Sequence, residues 1–281
     1  MEVRVAESAG FCFGVERAVS LVEKLLEEGR KPLYTYGPII HNEQVVGELA
    51  ERGVQVLNGI RALEEAEKGT VVIRSHGASR AEQDRMQELG FDVIDATCPF
   101  VKKIHRMAQE AEEQGKTVFI AGDRDHPEVK AIVGWCREAP YVIGEESDIP
   151  LLDPKTPVML LSQTTFNQNK FKKLVEIVRD KYYNADVVNT ICHATQKRQR
   201  EAKELSARAD AMIVIGSRQS SNTKKLVQIC EAYCAKTYFV QTLADLKQQA
   251  FHPVRFVGIT AGASTPKNII EEVQNFVRGE F

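Results

Sequence analysis

The chain is expected to fold as α/β, with mostly parallel sheets, on three observations. Short apolar runs alternate with longer amphipathic stretches along its whole length, that alternation recurs three times, and no disordered linker interrupts it. Strands alternating with helices pair in parallel through right-handed crossovers. A recurring pattern sets the number of sheets.

The three passes can be taken in order. Residues 3–6 read as a strand that leads into Gly10-Phe-Cys12-Phe-Gly14 and a helix with Val15, Val19, Val22 and Leu26 on its apolar face. Residues 93–95 read the same way into Asp95-Ala-Thr-Cys98-Pro99 and the helix 102–114, and residues 187–189 into Thr190-Ile-Cys192-His193 and a helix ending near Arg208. In each pass a strand ends, a cysteine turns the corner and a helix begins. A second short strand then ends in glycine, at Gly37, Gly122 and Gly216, which lie 25, 24 and 24 residues after the cysteines. Four residues past those glycines stand His41, His126 and Ser220, each ahead of a second helix: 43–51, 128–137 and 223–233. Strands follow at 54–57, 141–143 and 237–240, then at 71–74, 158–161 and 256–260. The last set closes in the polar turns Ser75-His76-Gly77, Ser162-Gln163-Thr164-Thr165 and Gly262-Ala-Ser264-Thr265.

Each pass supplies a four-stranded sheet. The third runs out of strands before its final helix, 267–278, so residues 3–6 would complete it. The expected organisation is three pseudo-repeated small domains, 1–97, 98–191 and 192–281, about a pseudo-threefold axis with a central cluster site. The most linker-like stretch is 145–157, with its prolines and acids.

At 281 residues, 43% hydrophobic and 27% charged, the chain has ample material for real cores. A net charge of -2 without a basic run gives no footing for nucleic acid or a membrane surface, which leaves small molecules or proteins as partners. The first residues are acidic and lack the apolar region of a signal peptide, so a cytoplasmic location is expected. In a reducing compartment six cysteines are free, metal-bound or catalytic rather than a disulfide framework, and no Cys-x-x-Cys pair occurs.

Proline at the first helical position puts Cys98 at an N-cap, where unpaired N–H groups and the helix dipole favour a thiolate. Ligands of parallel sheets bind beyond the carboxyl ends of the strands. If the repeats face a common centre, Cys12, Cys98 and Cys192 meet there, ringed by His41, His76, His126, Glu128, Gln163, Thr164, Ser220, Ser221, Asn222 and Ser264. Three thiolates suit a 4Fe-4S cube with one iron left open as a Lewis acid. The histidines, hydroxyls, amides and helix N-termini suit a phosphate. Glu128, beside such charges and partly buried, would be a proton donor with a raised pKa.

These motifs, with Arg74-Ser-His76-Gly77, His126-Pro-Glu128, Gln163-Thr164-Thr165, Gln-Lys-Arg198-Gln199 and Ser220-Ser221-Asn222-Thr223, make the whole chain resemble the LytB family, the 4-hydroxy-3-methylbut-2-enyl diphosphate reductases of the non-mevalonate isoprenoid pathway. The resemblance implies that Cys12, Cys98 and Cys192 hold one 4Fe-4S cluster whose open iron binds the allylic hydroxyl. It places the diphosphate on His41, His76, Ser220, Ser221, Asn222 and Ser264, with His126 and Gln163 lining the site and Glu128 relaying protons with Thr164. It implies reductive dehydroxylation to isopentenyl and dimethylallyl diphosphates, fed by an external one-electron donor such as ferredoxin or flavodoxin. The chain departs from the family at Asn189, where aspartate is common, and His193 follows the third cysteine at a variable position; both bear on local charge near the cluster.

The remaining residues have plainer readings. Cys136, Cys230 and Cys234 fall outside the repeat and read as packing thiols; His105 and His252 read as solvated; Met86, Met107 and Met159 read as core. Gly115-Lys116-Thr117 imitates a P-loop, but its order of helix then strand is backwards. A non-catalytic iron-sulfur sensor or carrier is the competing class, weakened by the polar ring that a carrier would not need. A nucleotide-binding enzyme lacks its glycine motif.

Overall fold

A computed structural model describes residues 1–249, 251 and 254–279. In chain order its elements are β1 (Glu2–Val5), α1 (Phe13–Glu27), β2 (Leu33–Tyr36), α2 (Glu43–Glu51), β3 (Val54–Leu57), α3 (Ile60–Glu65), β4 (Thr70–Ile73), α4 (Arg80–Glu88), β5 (Asp92–Asp95), α5 (Pro99–Glu113), β6 (Thr117–Ala121) and α6 (Pro127–Val133). They continue with β7 (Tyr141–Ile143), β8 (Val158–Ser162), α7 (Gln168–Lys181), β9 (Ala185–Val187), α8 (His193–Ser206), β10 (Ala211–Ile215), α9 (Ser221–Tyr233), β11 (Thr237–Val240), α10 (Leu243–Gln248), β12 (Phe256–Ala261) and α11 (Lys267–Gly279). Three four-stranded sheets result, ordered β3-β2-β4-β5, β7-β6-β8-β9 and β1-β12-β10-β11, and every strand pair is parallel. The first strand of the chain is the edge of the third sheet, with Val3 opposite Val257 and Val5 opposite Ile259.

Composition explains which strands are central. Every residue of β2, β4 and β10 is buried, and these strands are rich in Val, Ile, Leu and Tyr, as sheets covered on both faces require. The chain forms two compact units. One holds the third sheet and comprises Met1–Glu16, His41–Val45 and the chain from Cys192 onward; the other comprises Arg17–Ile40 and Val46–Ile191 and holds the first two sheets. Among the described residues no helix is long and apolar enough to cross a membrane.

Several elements differ from the sequence pattern. Helix α6 stops at Val133 instead of reaching 137, with Gly134 as its C-cap; only glycine fits there, since a Cβ would sit 2.2 Å from the Ser79 Cβ. Helices α3, α4, α7 and α10 occupy segments to which the pattern assigned no element. In α4 the reason is plain, since only Met86 of its nine residues is buried and the rest give no apolar period. Residues 145–157 carry no more than a 3-10 turn at Glu146–Asp148. His105, expected in solvent, is buried: it falls on the inner arc of α5 with Val101, Ile104 and Ala108 and stacks on Trp135. His252 lies outside the described residues. Met86 is wholly buried, and Cys230 and Cys234 pack in the core beneath β10.

The third sheet also shows how tightly its loops approach the helix above. Gly262 follows β12 directly under α9, and a Cβ there would lie 2.1 Å from the Thr223 hydroxyl, itself fully buried. Gly262→Ala is therefore expected to lower stability by about 2 kcal/mol, read as a fall in Tm. Adding Thr223→Ala should return most of that loss.

Candidate active site

In the larger unit the Cys98 turn is built by its neighbours. The Asp95 carboxylate accepts from Thr97 N–H at 2.8 Å and pairs with Lys102 at 2.6 Å. Burial alone would raise the Asp95 pKa, but Lys102 and Thr97 outweigh it and the net shift is downward. Arg17 donates to the carbonyls of Ala96 and Thr97, and Cys98 N–H to Ser75 O at 3.0 Å. With Pro99 at the first helical position, Cys98 is the N-cap of α5. Asn189 does the same for the next turn: its Oδ1 accepts from Ile191 N–H at 3.1 Å, so a neutral side chain holds here the turn that Asp95 holds with a charged one.

The same unit gathers Glu128, Thr164, His126 and His76. The Glu128 carboxyl, on the first turn of α6, accepts from Thr164 N–H at 2.6 Å and shares a 2.7 Å bond with Thr164 Oγ1. Burial pushes its pKa up to about 7, and the two Thr164 bonds restrain that rise. His126 caps α6, its Nδ1 accepting from Glu128 N–H at 3.2 Å, which leaves the proton of the neutral ring on Nε2. The His76 ring meets the His126 ring edge-on with centroids 5.2 Å apart. His76 is aimed by the turn that Gly77 makes at φ +85°, a conformation side chains resist. Gln163 is a brace: its Oε1 accepts from Asp123 N–H at 3.1 Å and its Nε2 donates to Thr165 at 2.9 Å.

In the smaller unit Cys12 directly precedes α1, and Cys192 is the N-cap of α8, accepting from Thr195 N–H. Ser220 caps α9 through Thr223 N–H at 3.2 Å, with Ser221 opening the helix. Asn222 is buried, and its Nδ2 finds no acceptor among the described residues. Such an orphan donor at a helix N-terminus is what an anion would complete. Ser264 Oγ donates to His41 O at 2.8 Å, fixing the histidine backbone against the end of the sheet.

One residue here has no role in the sequence reading beyond membership of a motif. Arg198, on α8, is buried and donates to the Gly10 and Ala194 carbonyls, and its Nε finds no acceptor among the described residues. Burial pulls its pKa down, while Cys12, Cys192 and Glu201 push it back. Its place six residues after Cys192 was visible, but burial of a cation has no sequence signature. Arg17, partly buried, has no sequence signature either, because its bonds reach carbonyls 79 and 80 residues away.

An iron-sulfur cluster fits the donor set. None of the six cysteines forms a disulfide. Cys12, Cys98 and Cys192 are half-buried at helix starts, and the Arg198 guanidinium is coupled electrostatically to Cys12 and Cys192. Burial instead pushes the Cys136 and Cys230 thiols up to about 12, which holds them protonated.

Residues 3–278 match the family model described as LytB protein. The chain belongs to the LytB family. It is 41% identical over 287 residues to the 4-hydroxy-3-methylbut-2-enyl diphosphate reductase of Thermoanaerobacter sp. (strain X514), covering 100% of this chain and 99% of the relative. It is 42% identical over 275 residues to the enzyme of the same name from Trichlorobacter lovleyi, covering 98% and 97%. A solved (E)-4-hydroxy-3-methyl-but-2-enyl diphosphate reductase, described as the terminal enzyme of the non-mevalonate pathway, matches with a TM-score of 0.73 at 40% identity over 99% of both chains. The Plasmodium falciparum E-1-hydroxy-2-methyl-but-2-enyl-4-diphosphate reductase matches with a TM-score of 0.92 at 25% identity, covering 98% of this LytB chain and 87% of that one.

The two classes of thiol separate by mutation. Cys98→Ser should lose most of the bound iron after anaerobic purification, whereas Cys136→Ser and Cys230→Ser should keep it, measured as iron per chain.

Proposed function

We propose that this LytB chain is an iron-sulfur oxidoreductase that removes the hydroxyl of (E)-4-hydroxy-3-methylbut-2-enyl diphosphate, giving isopentenyl and dimethylallyl diphosphates. Two electrons and two protons enter, the allylic C–O bond breaks, a C–H bond forms and water leaves. Cys12, Cys98 and Cys192 would hold a 4Fe-4S cluster, which would supply single electrons and Lewis acidity for loss of the hydroxyl.

The observation that carries the reading is the buried carboxyl of Glu128, titrating near 7 in hydrogen-bond contact with a hydroxyl. A proton donor works best with a pKa near the working pH. Protonated Glu128 holds its proton toward Thr164 Oγ1, so the threonine can pass its own proton outward as it takes the one from Oε2. Thr164 N–H, on the other oxygen, keeps the carboxyl from turning away. His126 contributes an Nε2–H donor, because its Nδ1 is occupied by Glu128 N–H. The diphosphate is assigned to His41, His76, Ser220, Ser221, Asn222 and Ser264, with the α9 N-terminus and the unanswered Asn222 amide as its strongest attractors. Gln163 acts by holding the loop after β6 in place. A non-catalytic carrier would have no use for a sequestered acid of this pKa. The reaction is placed in the cytoplasm, with electrons arriving from a separate one-electron carrier.

Glu128→Gln should keep its iron and lose turnover by about 10²- to 10⁴-fold in an anaerobic assay with reduced viologen. In the unaltered chain the donor is the protonated form, so kcat should fall as pH rises through about 7. A flat profile from pH 6 to 9 would remove Glu128 from the proton path. Asn222→Asp, of nearly unchanged shape, turns a donor into an anion. It should raise KM and the inhibition constant of inorganic pyrophosphate about tenfold or more with a smaller change in kcat.

A further inference from the structure

On the reductase reading electrons must arrive from outside the chain, and one surface of the larger unit is shaped and charged to receive their source. A cavity of about 440 Å³ opens beside the Cys98 turn, with Thr97 and Pro99 on one wall, Lys102 and Arg106 on another, and Trp135 on a third. Its floor is rigid. His105 stacks on Trp135 with centroids 5.3 Å apart and planes 17° from parallel, and the indole N–H donates to Ala78 O at 2.9 Å. Gly77 leaves room for the imidazole, since a Cβ there would come 3.2 Å from its Cε1.

The charge on α5 is ordered against the helix dipole. Lys102, Lys103 and Arg106 occupy its first half, and Glu110, Glu112 and Glu113 its end; no acid lies in the first turn and no base in the last. Cations are disfavoured near a helix N-terminus. Lys103 and Arg106 at i,i+3 and Lys102 and Arg106 at i,i+4 also repel one another. Asp95 pairs with Lys102, but among the described residues no carboxylate pairs with Lys103 or Arg106. Two of the acids at the far end are engaged elsewhere: Glu112 accepts from the backbone of Arg137 and Glu138, and Glu113 pairs with the Arg137 side chain; Glu110, at i+4 from Arg106, makes no ion pair with it. Phe100, 42% exposed, stands one turn before Lys103 on the same face. An aromatic side chain beside a knot of cations, held at a cost to the helix, is complementary to an acidic surface.

We propose that the exposed face of α5, with the Trp135 cavity, is the docking site of a small acidic one-electron carrier protein that delivers electrons at Cys98. This rests on the reductase reading. Each turnover oxidises two carrier molecules by one electron apiece, and those electrons leave with two protons in the new C–H bond and in water.

The test compares holoenzyme with K103E/R106E in two assays, one driven by reduced methyl viologen and one by a photoreduced acidic ferredoxin, and measures the Kd of the oxidised ferredoxin by calorimetry. At low ionic strength the variant should keep viologen-driven turnover within about twofold while its ferredoxin KM and Kd rise about tenfold or more. Arg106→Gln should move both constants the same way by a smaller factor, which serves if the double reversal does not fold. Unchanged ferredoxin constants would overturn the docking site. So would an equal loss with both reductants at unchanged iron content, which would assign these cations to the cluster, or an equal rise in K172E/K173E on α7, which would reduce the effect to net charge. Wild-type protein inactive even with viologen would instead refute the reductase reading.

Discussion

The junction between a parallel strand and the helix that follows it governs the rest of this molecule. A strand that ends in a parallel sheet must hand the chain to a crossover helix whose first N–H groups have no partners of their own. Those groups need acceptors, and the side chains of Cys192, His126 and Ser220 supply them, whereas Cys98 holds the cap position without a side-chain cap bond. Cys98, Cys192, His126 and Ser220 each occupy an N-cap. Each cap position has a physical consequence for the residue that holds it: a thiol there gains from the dipole, an imidazole has its tautomer fixed, and a hydroxyl lies beside the exposed amides of the first turn.

Burial of charge is handled in two opposite ways around these junctions. Among the described residues no cation answers Glu128; Thr164 gives its carboxyl two hydrogen bonds, and burial leaves it holding its proton up to about pH 7. Because the folded state binds that proton more tightly than the unfolded chain, this group's contribution to stability falls as pH rises from its ordinary value of 4.5 toward 7 and beyond, by about 3 kcal/mol in all. A stored proton is the functional counterpart of that loss. Arg198 does the reverse, remaining a buried cation because sulfur and carboxylate charges stand near it. Neutral acid and charged base are thus both products of what surrounds them.

Much of this was legible in the sequence, and the missing part has a physical pattern. The sheets could be read because central parallel strands are continuous apolar runs bounded by glycine and polar turns. Cys98 could be read because Pro99 marks a helix start. Helix α4 could not, since its stability comes from a Ser79–Glu82 capping box and one buried methionine instead of an apolar stripe. His105 was misread because its helix is rich in charge, and only the arc it occupies, decided by packing on Trp135, sets its burial. Arg17 and Arg198 escaped notice because long-range hydrogen bonds to carbonyls leave no local trace. Asn189 shows the converse: its side chain keeps the bond that Asp95 makes in the second repeat, so the substitution removes a charge without removing the turn.

The small irregularity of the repeat also has structural meaning. Gly122 and Gly216 each follow their cysteine by 24 residues, and four residues later His126 and Ser220 cap the next helix with their own side chains. In the first repeat the cap lies five residues after the glycine instead of four, on Asn42, whose Oδ1 accepts from Gln44 and Val45 N–H at 3.1 Å. His41 thus keeps the position of a cap without the work of one. Its backbone carbonyl is held by Ser264, and capping makes no claim on its ring nitrogens. A shift of one residue between the helix start and the histidine passes the capping task from an imidazole to an amide, and the helix keeps its cap.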